Sequence, residues 1–80
     1  MITTNQSNVL NTINLDTDSQ CALVHVVTVS NAIKSGSREF SSMYLHEELK
    51  QLFKRAKAYL RVNRVNESDF RKQVLRLIDY

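Results

Sequence analysis

Glu67-Ser68-Asp69-Phe70-Arg71-Lys72-Gln73-Val74-Leu75-Arg76-Leu77-Ile78-Asp79-Tyr80 is the most informative part of this chain. Phe70, Val74, Leu77 and Ile78 recur at steps of four, three and one, which marks one face of a 3.6-residue period. Asn66 or Ser68 is placed to accept the first unpaired amides of a helix, and Glu67 and Asp69 set negative charge at its positive end. The opposite face carries Arg71, Lys72 and Arg76. The spacing predicts an amphipathic helix over 67–79 that buries its apolar stripe and offers cations to solvent or to a partner.

Upstream, Ser41 to Asn63 holds the strongest helical pattern in the chain. Leu45, Leu49, Leu52, Phe53, Ala56 and Leu60 form the stripe, and Ser41 or Ser42 supplies a capping hydroxyl ahead of Glu47 and Glu48. Lys50, Lys54, Lys57 and Arg61 follow at steps of four, three and four, so they form a ridge on one side. From Lys50 to Arg64 there are six basic residues and no acidic one, which makes this segment the main source of positive field. A solvated helix face, with lysine stems covering apolar surface, accounts for such a ridge. Contact with phosphates or with an acidic protein accounts for it too.

Ser19 to Ser35 supports two readings. Ala22, Val26, Val29 and Ile33 share a helical face, Asp18 or Ser19 could cap the start, and Gly36 suits a left-handed stop. The valines between Ala22 and Val29 also favour a strand. Helix is preferred, because a lone strand would have no evident partner except a short piece near the termini. Residues 1–17 are rich in Thr, Asn, Ser and Gln and hold no sustained apolar period, so they read as a flexible lead to a domain over 18–80. Val9 and Ile13 leave open a turn that docks on the body.

Eighty residues bound the molecule to one small domain. With no proline and one glycine, hairpin arrays are disfavoured and a mainly α fold is expected. A net charge of +3 is a mild excess that suits nucleic acid weakly and acidic protein surfaces equally well. A single cysteine, Cys21, excludes an internal disulfide, and no basic start precedes a long apolar run. A cytoplasmic or nuclear protein without membrane attachment is the expectation. His25 and His46 lack Cys or carboxylate neighbours at ligand spacing, so no metal is expected. Neither a nucleophile with a placed base nor a phosphate loop occurs, and no catalytic residue, cofactor or small-molecule substrate is assigned.

Two stretches carry a family resemblance. Met43-Tyr44-Leu45-His46-Glu47-Glu48-Leu49-Lys50-Gln51-Leu52, with Asp69-Phe70-Arg71-Lys72-Gln73-Val74-Leu75-Arg76-Leu77-Ile78-Asp79, resembles the second and third helices of the winged-helix module that ends cullin proteins. Val29 to Lys34 and Arg38 fall near that family's lysine motif. The spacings predict three helices near 19–35, 41–63 and 67–79, and the resemblance implies that they take a helix-turn-helix or winged-helix arrangement, with a short strand or two. It implies a scaffold role beside the ubiquitin-transfer machinery, with Lys34 as acceptor of a ubiquitin-like modifier. The chain from Arg64 to Tyr80 is also similar to the end of small histone-fold proteins of centromeres and DNA repair. The alternative function is therefore a small basic DNA-binding module, in which Arg71, Lys72 and Arg76 approach a groove while Lys50, Lys54, Lys57, Arg61 and Arg64 hold phosphates.

Overall fold

Four segments of this chain start with a side chain that can accept helix amides, and each becomes a helix. A computed structural model describes residues 2–78. It contains α1 (Thr4–Thr12), α2 (Thr17–Lys34), α3 (Ser42–Val62) and α4 (Glu67–Ile78). No strand occurs among the described residues, so neither the strand alternative at 22–29 nor a wing strand is found there. The expected end of the last helix at residue 79 lies outside the described residues.

The caps follow from local chemistry. Ser41 Oγ accepts from the amide of Tyr44 at 3.1 Å, and Asn66 Oδ1 accepts from the amides of Ser68 at 2.8 Å and Asp69 at 3.2 Å. Helix α2 starts two residues earlier than the sequence suggested. Asp16 is its N-cap and accepts from the Ser19 amide, which leaves Asp18 in the first turn and Ser19 buried. Both long helices stop in the same way. At the end of α2 the amide of Gly36 donates to Ile33 and that of Ser37 to Ala32, with Gly36 at φ 86°. At the end of α3 the amide of Arg64 donates to Arg61 and that of Val65 to Leu60, with Arg64 at φ 56°. These are Schellman stops, which turn the chain by placing one residue in the left-handed region.

The core lies where α2, α3 and α4 meet. From α3 it takes Leu45, Leu49, Leu52, Ala56 and Leu60; from α4 it takes Phe70, Val74, Leu77 and Ile78. Those positions match the periodic stripes, except that Phe53 is only partly buried at the edge. Helix α2 departs further from its reading. Val26 and Val29 are buried as expected, but Leu23, Val27, Ser19 and Ser30 are buried as well, while Ala22 and Ile33 lie at the margin. The reason is that α2 packs on α3 and α4 at once, so its buried surface is wider than a single stripe.

Residues 1–17, expected to form a flexible lead, instead contain α1. Thr3 and Gln6 form a capping box: Thr3 Oγ1 accepts from the Gln6 amide, and Gln6 Oε1 accepts from the Thr3 amide, both at 3.1 Å. Leu10 and Ile13 then enter the core. Burial of two aliphatic side chains and satisfied end amides offset the ordering of a segment whose composition alone argues for disorder. The Gln6 amide is the main polar fastening. Its Nε2 donates to Asn31 Oδ1 at 3.0 Å and to the Leu77 carbonyl at 3.1 Å, and Asn31 Nδ2 donates back to Gln6 Oε1 at 2.8 Å.

Candidate binding groove

Along α3, residues 50, 53, 54, 57 and 60 follow the three-and-four rhythm that puts them on one side of a helix. Helix α4 comes back alongside after the turn at 63–66, and residues 67, 70 and 71 repeat that rhythm on the facing wall. The result is a groove of about 330 Å³ lined by Lys50, Phe53, Lys54, Lys57, Leu60, Glu67, Phe70 and Arg71. Its base is apolar. Phe53 meets Phe70 edge to face, with ring centroids 6.1 Å apart and planes at 84°, a geometry that aligns a ring edge with the negative face of its neighbour.

The rim is charged on both sides. Arg71 lies with its Cζ 5.1 Å from the centroid of Phe53, so the ring holds the guanidinium over the groove. Lys50 pairs with Glu47 at 3.8 Å, but both side chains are about three-fifths exposed (63% and 60%), so water screens the pair and holds Lys50 only weakly. Glu67 is an acidic group set into the basic rim. It is the first residue of α4 and partly buried.

The structure thus brings together Lys50, Lys54, Lys57 and Arg71 out of the basic residues singled out from the sequence. It places the others elsewhere. Arg61 and Arg64 lie exposed at the end of α3 and in the turn beyond it. Arg76 faces a second groove, of about 320 Å³, formed with α1 by Asn5, Gln6, Val9, Thr12, Gln73 and Leu77. Five residues of helix separate Arg71 from Arg76, a rotation of roughly 140°, so these two cannot line one surface of α4. Lys72 is exposed and lines neither groove.

Lys34 ends α2, and its Nζ donates to the Ile78 carbonyl at the end of α4. Ser30 Oγ donates to the same carbonyl at 3.2 Å. Lys34, which the cullin resemblance implies as a modification acceptor, thus ties α2 to α4. His25 Nε2 lies 2.9 Å from Tyr44 Oη, and Phe40 stacks on Tyr44 at 5.4 Å, which gives this histidine a place at the α2–α3 corner. Among the described residues, no group of three or more His, Cys, Asp or Glu is arranged to hold a metal ion.

Sequence reasoning assigned Phe53, Leu60 and Phe70 to the core and Glu67 to the helix dipole, and so missed them as groove residues. One signal was available: Phe53 sits between Lys50 and Lys54 on the ridge side of its stripe, where a fully buried ring would draw two ammonium groups toward the core. Comparison with family models, with curated proteins and with solved structures gives no match to this chain. No helix among the described residues is long and apolar enough to cross a membrane.

Proposed function

We propose that this protein is an interaction module that docks an acidic protein segment in the groove between α3 and α4. The observation that carries the reading is the union of Lys50, Lys54, Lys57 and Arg71 with the partly exposed ring of Phe53, beneath which Leu60 and Phe70 are buried. A phosphate backbone needs cations but no apolar base, whereas a protein segment commonly presents one apolar anchor amid charges. The groove volume is at the low end for ligand sites, which suits one or two anchoring side chains of a larger partner. This keeps the interaction-module class that the cullin resemblance implies and defines the partner by chemistry.

The direct test is chemical-shift mapping of the full chain against two probes: a Glu-rich peptide with one central Leu, and an unrelated duplex DNA. The expected result is saturable shifts at Lys54, Lys57, Phe70 and Arg71 with the peptide, lost in Lys54→Glu/Lys57→Glu. Duplex DNA should give no appreciable affinity at about 150–200 mM salt. DNA affinity falling steeply between about 50 and 200 mM salt, with no peptide binding, would instead identify phosphate contacts and defeat the proposal.

A further inference from the structure

The groove is not uniformly basic along its length, and the order of its charges has a meaning. Helix α3 runs toward the turn at 63–66 and α4 runs away from it. Lys50, the first groove residue on α3, therefore marks the far end, and Leu60, the last, marks the turn end; ten residues of helix separate them, about 15 Å. The amide of Val65 donates to the Leu60 carbonyl at 2.9 Å, and Glu67 follows two residues later. Glu67 therefore lies toward the turn end, where Lys57 and Leu60 line the opposite wall, and the Phe53–Phe70 contact with Arg71 above it separates this end of mixed charge from the purely basic end at Lys50 and Lys54.

From this order we infer that Glu67 is the specificity-determining residue of the groove: it selects protein segments of mixed charge, acidic toward Lys50 and Lys54, apolar over Phe53, and basic at the turn end. The inference rests on the interaction-module reading above and goes further by giving the partner a direction. A nucleic acid or an anionic lipid surface presents negative charge along its whole contact and would meet the Glu67 carboxylate with repulsion. A segment carrying Lys or Arg at its turn end would pair with the Glu67 carboxylate, which also offsets the field of Lys57 on the opposite wall. Charge placement of this kind works as much by rejecting wrong partners as by attracting the right one.

The test uses the full chain and two labelled peptides of equal length, each with a central Leu. One is acidic at one end and carries a single Lys at the other; the second has Glu in place of that Lys. An exposed charge pair contributes modestly, and exchanging attraction for repulsion roughly doubles its effect, so the wild type should prefer the mixed peptide by about threefold to tenfold. Glu67→Gln should erase the preference, and Glu67→Lys should invert it while Lys54→Glu still abolishes binding of both. Thermal unfolding of each variant is the control for loss of the fold.

Equal affinity of wild type for the two peptides would overturn the role of Glu67 while leaving the docking proposal intact. A preference unchanged by Glu67→Lys would do the same. Absence of binding by both peptides, in wild type and in Glu67→Lys, would remove the docking proposal and the inference with it. Duplex DNA or anionic vesicles bound more tightly than the mixed peptide by the wild type would also overturn the inference, because Glu67 would then not be rejecting polyanions.

Discussion

The two helix stops differ in one respect that stability measurements can read. Gly36 ends α2 in the left-handed region without strain, whereas Arg64 does the same job at φ 56° with a side chain that disfavours it. A non-glycine residue in that region costs about 1–2 kcal/mol, and glycine returns about 0.4–1 kcal/mol of this through the greater freedom of its unfolded chain. Arg64→Gly should therefore stabilise the protein by about 0.5–1 kcal/mol, or roughly 2–8 °C in Tm for a domain of this size. Gly36→Ala should do the reverse, by about 1 kcal/mol. No atom lies within 4 Å of the Cβ it would add, so the whole cost is in the backbone. Thermal unfolding followed by far-ultraviolet circular dichroism is sufficient, with Arg64→Ala as the control. The alanine variant removes the same charge from a crowded basic segment but keeps the strained backbone, and should gain nothing. If Arg64→Ala raised Tm as much as Arg64→Gly, the gain would be relief of charge repulsion and the backbone argument would fail.

Three further outcomes are expected. Leu52 is fully buried (0% exposed), and Leu52→Ala should cost about 2–5 kcal/mol in chemical denaturation, a large fraction of what holds so small a domain; an unchanged midpoint would remove this face of α3 from the core. Gln6→Leu breaks the amide pairing with Asn31 and the bond to the Leu77 carbonyl, so amide exchange across α1 should accelerate by about tenfold or more while the centre of α3 keeps its protection. Protection of α1 that survives the change would show that Leu10 and Ile13 hold it unaided. Asp16 is held below its ordinary value of 3.8, chiefly by the Ser19 side chain and also by the Ser19 amide. Its contribution is therefore present above about pH 4 and is lost as pH falls through the lowered folded value. Asp16→Asn keeps a capping oxygen but removes the titration, so the acid side of the stability profile should flatten; an unaltered acid slope would show that other carboxylates set it.

What could be read from the chain was local. The stripes of α3 and α4 are visible because each of these helices buries a single face, and a single face imprints a 3.6-residue period on the sequence. Ser41, Asn66 and Gly36 were legible as caps and stop because capping chemistry acts within four residues. The same locality explains a signal passed over: Thr3-Thr4-Asn5-Gln6 is a capping-box pattern, outweighed by the polar composition around it.

Period and capping depend on neighbours a few residues apart, so a mainly helical chain with a strong basic ridge and two amphipathic helices is written in local sequence. Tertiary structure decided which side chains meet. It buried α2 on two sides, seated Leu10 and Ile13, turned Arg71 and Arg76 into separate grooves, and engaged Lys34 with the end of α4. It also set Glu67 opposite the lysines of α3, because α3 and α4, joined by the turn at 63–66, pack against each other. No periodicity within either helix specifies the partner across that groove, because the distance that matters there is through space.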